Sequence, residues 1–329
     1  MTERTPSRTA AGVAWLRAAH QIVDDEPRIL DDPIAPRLLG PAGRRAIDER
    51  RPELFTPGAL ALRSHVLLRS RFAEDQLALA AGRGIGQYII LGAGLDTFAY
   101  RQPGWAGTLR IFEVDQPAGQ QLKRQRLADA GIAEPDHLTF VAIDFEAESL
   151  RDGLARAGAA LDQPTFVSWL GVSMYLTGDA VDSVFRAVSA FPARSQLVFT
   201  FAQPRAAGTP SVADRAAAVG EPWQTFFSPA ELERCCLARA SRPCAFCPPR
   251  TRPSISLVAA MRSPPHGGCR SPWPPPEPLI DAVATVDLTV HPGWMTPFPF
   301  PDSTMAVMIE DYRGGTDRVR PVRVAARPD

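Results

Sequence analysis

Gly92-Ala93-Gly94-Leu95-Asp96-Thr97 follows an apolar run, and its two glycines let a chain turn tightly and approach a ligand with no Cβ in the way. About twenty residues further on stand Glu113 and Asp115, at the interval where a carboxylate accepts hydrogen bonds from ribose hydroxyls. Turn and acid together imply an adenosine site. The two acids share one face of an extended strand and repel if both are buried, so one is expected to hold the ribose and the other to be structural. A dinucleotide-binding turn calls for a third glycine at position 97. Thr97 stands there instead, which weighs against a nicotinamide cofactor.

Further along, Asp144-Phe145 pairs a carboxylate with a ring that could hydrogen-bond an adenine amino group and cover its face. The same pair also reads as an N-cap for the next helix followed by a core phenylalanine. Trp169 to Leu176 brings aromatics that either line a pocket or pack as core. Arg63, Arg69 and Arg71 stand on a helical stretch, and one projecting inward could grip a ligand carboxylate with two parallel hydrogen bonds.

Such groups need a scaffold. Short apolar runs at Tyr88–Leu91, Leu109–Phe112, Leu138–Ile143, Phe166–Leu170 and Leu197–Phe201 have strand length. Between them, Pro117–Ala130, Glu146–Ala159 and Asp179–Ala190 are long enough for crossover helices. The alternation predicts a doubly wound α/β sheet buried on both faces, which binds ligands at the carboxyl ends of its strands. Residues 1–82 read as a helical cap, with an acidic turn at Asp31-Asp32-Pro33, and residues 83–233 read as the core.

The chain has 329 residues, 45% of them apolar, and 36 basic side chains against 36 acidic ones, so it suits a globular protein and disfavours a basic nucleic-acid platform. No run of eighteen uncharged apolar residues suggests a membrane span, and the polar start predicts a cytoplasmic address.

Composition changes near residue 235. All five cysteines fall between Cys235 and Cys269, and eleven of the 33 prolines fall between Pro243 and Pro278. Cys244 and Cys247 have the spacing of half a zinc site, but no second pair or suitably placed His266 completes it, so no metal is expected. With suitable codons, a one-base shift of frame turns Arg234–Cys247 into a helix end, a glycine cap and a strand. Residues 234–329 are therefore read as an aberrant, frame-shifted segment, with the last two strands of the sheet missing or replaced. Ser254–Ala260 and Ala282–Val290 are the candidate replacements.

Taken in order, Leu30-Asp31-Asp32-Pro33, Arg69-Ser70-Arg71-Phe72, Gly92 to Thr97, Tyr100-Arg101, Phe112 to Pro117 and Val141 to Phe145 resemble the leucine carboxyl methyltransferase family. Its bacterial relatives are S-adenosylmethionine-dependent O-methyltransferases with a Rossmann-like class I fold, often associated with polyketide or lipid pathways. The resemblance covers roughly residues 13–233. It implies that Arg71 grips the methionine carboxylate, that Gly92 and Gly94 pass beneath the methionyl part, and that Asp115 holds the ribose. It further implies that Asp144 and Phe145 frame adenine, and that Asp96 either orients the cofactor or caps the following helix. The branch acting on protein phosphatases carries a glutamate on its fourth strand; Trp169 occupies that stretch here and weighs against phosphatase C-termini as substrate.

The implied reaction moves a methyl group to an oxygen, carboxylate or hydroxyl, of a small-molecule acceptor. A carboxylate needs no base, and for a hydroxyl Tyr175 is the candidate; no catalytic residue is assigned. The competing readings are a nicotinamide-dependent oxidoreductase and a cofactor-binding remnant without activity.

Overall fold

A computed structural model of the chain describes residues 6–204, 212–228, 231–232, 254–258 and 306–311. Three helices come first: α1 (Arg8–Val23), α2 (Ile34–Glu49, kinked at Gly40) and α3 (Pro57–Gly82). Ser7 and Thr56 cap α1 and α3 by accepting hydrogen bonds from the Ala10 and Ala59 amides. Then β1 (Gln87–Leu91), β2 (Arg110–Asp115), α4 (Pro117–Asp129), β3 (Leu138–Ala142), α5 (Leu150–Arg156), β4 (Phe166–Trp169), α6 (Gly178–Ser189) and β5 (Gln196–Phe201) alternate. The last described elements are α7 (Val212–Ala218), β6 (Ser254–Val258) and β7 (Ala306–Asp311).

The strands form one sheet in the order β3-β2-β1-β4-β5-β7-β6, with β1 to β5 parallel and β7 antiparallel to both neighbours. Every residue of β1 and β5 is buried, as a sheet covered on both faces requires. The period-two alternation sorts β1 into two cores. Ile89 and Leu91 join Phe112, Trp169, Phe199 and the Val181, Val184 and Phe185 stripe of α6. Tyr88 and Ile90 face the other way, against Ala73, Leu77 and Ala80 of α3.

The expected doubly wound architecture is present, and the described residues form seven strands. β6 lies inside the Ser254–Ala260 run, while β7 falls outside both candidate replacements; Ala282–Val290 lies outside the described residues. Both segments are free of proline, and strand pairing needs main-chain donors more than side-chain periodicity. Cys244, Cys247 and the rest of Arg234–Cys247 also lie outside the described residues. Among the described residues, no helix is long and apolar enough to cross a membrane.

The strand order reverses between β1 and β4, so a crevice opens at their carboxyl ends. Helix α1 crosses that end: a Cβ on Gly94 would lie 3.3 Å from the Ala10 Cβ.

Candidate functional site

A cavity of about 1080 Å³ occupies this crevice, lined by α1, α3, the ends of β1, β2, β3 and β4, and the segment from Val212 to Gln224. That exceeds the roughly 300–1,000 Å³ of ordinary small-molecule sites and leaves room for two ligands side by side.

Its floor is the turn after β1. Gly92 and Gly94 have φ of +65° and +49°, where side chains are rarely accommodated. A Cβ on Gly92 would also run into the Val172 side chain. Asp115, at the end of β2, locks the turn by accepting hydrogen bonds from the Gly94 amide (2.6 Å) and the Gln116 amide (2.7 Å). Burial holds its carboxyl above the usual range, with these amides opposing. Gly92, Gly94 and Asp115 are therefore brought together as expected. Glu113 is the structural partner of the pair. It is fully buried against Lys123, and burial pushes its carboxyl up to about 7 despite that cation.

Asp96 lines the cavity and does two things there. One oxygen accepts the Phe98 amide (2.8 Å), which caps the following turn, and the other meets Arg17 of α1 at 3.1 Å. Burial opposes its charge, but Arg17, Lys123 and Arg101 outweigh it, leaving the carboxyl below its usual range. Arg17, only 4% exposed, also bonds Asp32 (2.9 Å) and Thr97 (2.8 Å), and Thr97 donates to Asp32 at 2.8 Å. The acidic turn before α2 and the threonine at position 97 thus belong to one buried network tying cap to floor. Thr97 serves the network at the place where a dinucleotide turn would carry glycine.

The arginine assignment requires correction. Arg71 does not line the cavity: it pairs with Asp75 one turn away and with the Ile29 carbonyl. Two residues apart on a helix means about 200° of rotation, so Arg69 and Arg71 cannot both face inward. Arg69 is the inward one. Its guanidinium lies against Gly171, where a Cβ would sit 2.6 Å from Nη1, and no acidic residue among the described ones pairs with it. Burial, reinforced by the Arg17 charge, pulls Arg69 down to about 10.

The pair after β3 is divided. Phe145 lines the cavity, 6% exposed. Asp144 is not part of the lining; its side chain accepts the Glu146 amide (3.1 Å) within a turn, while Ser149 rather than Asp144 is the N-cap of the next helix, α5. The Trp169 ring is core, fully buried and edge-on to Phe185. Tyr175 lines the cavity beside Trp223, ring centroids 6.3 Å apart and planes at 90°.

Three further wall residues carry no sequence motif. His65 sits one turn before Arg69 on α3, and burial together with the Arg69 charge drops its imidazole to about 3, so the ring is neutral. Trp223 and Glu221 come from the segment after α7. Glu221 takes the amides of Arg8 (2.5 Å) and Thr9 (3.1 Å) and the hydroxyls of Ser7 (2.9 Å) and Thr9, capping α1 from across the cavity. Those donors overcome partial burial and keep its carboxyl below the usual range.

A sequence model of the leucine carboxyl methyltransferase family matches residues 10–189. The chain is 40% identical over 175 residues to a Bacillus subtilis protein provisionally named S-adenosyl-L-methionine-dependent methyltransferase YktD, covering 51% of this chain and 57% of that one. It is 32% identical over 237 residues to a Mycolicibacterium smegmatis protein of the same provisional description, covering 66% of this chain and 73% of the relative. The first match therefore spans little more than half of that relative's length. A crystal structure titled as a methyltransferase from Thermobifida fusca YX, also provisionally, superposes with a TM-score of 0.48 at 19% identity, covering 94% and 96% of the two chains.

Proposed function

Because the chain belongs to the leucine carboxyl methyltransferase family, we propose that it is an S-adenosylmethionine-dependent methyltransferase acting on an oxygen, carboxylate or hydroxyl, of a small-molecule acceptor. The observation that carries the reading is one cavity holding both the Asp115-locked glycine turn and an arginine without an acidic partner among the described residues. S-adenosylmethionine offers complementary groups. Asp115 would receive the ribose hydroxyls, and Gly92 and Gly94 would let the methionyl chain pass close to the backbone. Arg69, in place of Arg71, would take the amino acid carboxylate in a fork of hydrogen bonds. Phe145 would cover the adenine ring, with Asp144 behind it shaping the turn. Asp96, held by Arg17, stands where the methionine ammonium could meet a carboxylate.

When bound, the cofactor supplies an activated methyl: an oxygen–carbon bond forms as the carbon–sulfur pair returns to sulfur, and a hydroxyl acceptor releases its proton to water. The protein's contribution is alignment and exclusion of water. An oxygen acceptor suits the electrostatics of the wall. Its carboxylates are already engaged, Glu74 by Arg101, Asp96 by Arg17, Glu146 by Thr177 and Glu221 by α1. With Asp96 left to the cofactor's ammonium, no carboxylate of the lining is reserved for a cationic acceptor. The address of such an enzyme would be the cytoplasm.

Calorimetric titration tests the reading. S-adenosylmethionine should give saturable heat, Arg69→Met should weaken it strongly, and Arg71→Met should leave it unchanged. Mass spectrometry of carboxylic and phenolic acceptors incubated with enzyme and cofactor should show a methyl ester or ether. Saturable binding without any product would identify a cofactor-binding remnant, and heat from a nicotinamide dinucleotide alone would overturn the reading.

A further inference from the structure

The part of the cavity beyond the glycine turn has a definite construction. Val172 adjoins Gly92, Arg69 lies against Gly171, and the Tyr175 ring meets Trp223, all of them lining the cavity. Leu62, Met174, Phe201 and Val219 add apolar surface. Trp223 is held on both sides. Before it, Glu221 is fastened to the first turn of α1. After it, the Gln224 amide donates to the Met174 carbonyl (2.7 Å), the Gln224 side chain to the Tyr175 carbonyl (2.6 Å), and the Thr225 hydroxyl to the Leu176 carbonyl (2.5 Å). Phe226 backs the indole, centroids 6.2 Å apart.

Two polar atoms of this wall have no hydrogen-bond partner although they are buried: the Trp223 indole N–H and the His65 Nε2. Orphaned buried groups are costly, and of those among the described residues these two belong to side chains that line the cavity, where a ligand can satisfy them. The charges narrow the ligand's chemistry. Of the lining cations, buried Arg69 has no acidic partner among the described residues and is used by the cofactor's carboxylate, and Arg215 is exposed to water, which leaves the buried part of this end suited to a neutral molecule.

We propose that this end of the cavity is the acceptor subsite, that it takes a flat aromatic hydroxyl compound of the phenol class, and that Trp223 is its specificity-determining residue, with Tyr175 as second ring and His65 as a polar contact. The inference rests on the methyltransferase reading for the word acceptor. The Tyr175 and Trp223 rings, set at 90° to each other, offer a planar guest both a face and an edge, and such contacts favour an aromatic over a puckered ring of equal size.

The test uses 2-naphthol and its saturated counterpart decahydro-2-naphthol, titrated by calorimetry into the full-length protein saturated with S-adenosylhomocysteine. We expect 2-naphthol to bind about tenfold tighter. Trp223→Leu should abolish the preference, and Trp223→Phe should restore most of it, both with cofactor affinity unchanged. Equal affinity of the wild-type protein for the two probes, or a preference that survives Trp223→Leu, overturns the proposal. Should Trp223→Leu fail to fold, as judged by circular dichroism, the wild-type comparison decides alone. The preceding S-adenosylhomocysteine titration separates the two readings: no cofactor heat sinks the methyltransferase assignment, whereas cofactor heat without ring preference sinks this one.

Discussion

The floor of the cavity and its far wall hold their functional groups by different means. At the floor, Gly92, Gly94 and Asp96 are near neighbours in sequence, and Asp115 reaches them from the adjacent strand through a hydrogen bond to the main chain. At the wall, Glu221 meets Ser7, more than two hundred residues away in the chain, and Trp223 meets Tyr175 across a separate loop. A floor made of backbone is rigid and tolerates almost no substitution. A wall made of side chains from distant segments can be rebuilt residue by residue, so the same floor can serve many acceptors.

That contrast can be broken by experiment, and the largest effect should come from the floor. Gly92→Ala adds a Cβ that meets Val172 at a backbone angle unsuited to it, so cofactor affinity should fall by at least about a hundredfold, ~3 kcal/mol. Calorimetry giving a change within threefold would show that the turn is softer than its geometry implies. Next comes the arginine pair. Arg69→Met should cost about thirtyfold in cofactor affinity, the scale of a hydrogen bond to a charged group. Arg71→Met removes only a half-exposed pair with Asp75 and should stay within about twofold. Equal losses from both would contradict the inward placement of Arg69.

A smaller effect belongs to the wall. Glu221→Ala removes acceptors that reinforce the Ser7 cap of α1 and one tether of Trp223, so it should lower stability by ~1 kcal/mol and raise the acceptor KM a few-fold. Cofactor affinity should not change; a parallel loss there would mean that wall and floor are one unit. The smallest effect on binding is expected at Glu113, beneath the floor, whose signature is pH. Its carboxyl sits near 7 in the folded chain against 4.5 in the unfolded one, because burial favours the neutral form. The folded state therefore holds the proton more tightly. The resulting stability is fully present below about pH 4.5 and is lost as pH rises toward 7. Urea unfolding midpoints of Glu113→Gln should decline less across that window than those of the wild type. Parallel curves would remove Glu113 as their cause.

Much of the floor can be read from sequence because it follows from short-range rules. Apolar runs such as Tyr88–Leu91 are buried on both faces and become parallel strands, and glycines at a strand end become the turn. Arg69 and Arg71 show where reading by motif alone fails and helical geometry would have succeeded. Val66, Ser70, Ala73 and Leu77 mark the buried stripe of α3; Arg69 lies beside it and Arg71 nearly opposite. Asp144 illustrates a real ambiguity, since the same carboxylate after a strand caps a turn or meets a ligand, and here it caps. His65, Glu221 and Trp223 carry no local signal at all. Their roles arise only when α1, α3 and the segment after α7 come together, and no periodicity records that meeting.

The most direct measurement is a crystal structure of the protein with S-adenosylhomocysteine. The ribose hydroxyls should lie within hydrogen-bonding distance of Asp115, the amino acid carboxylate should rest on Arg69, and the sulfur should face the space bounded by Tyr175 and Trp223. A ligand bound outside this crevice, or seated in it with its carboxylate away from Arg69, would contradict the account.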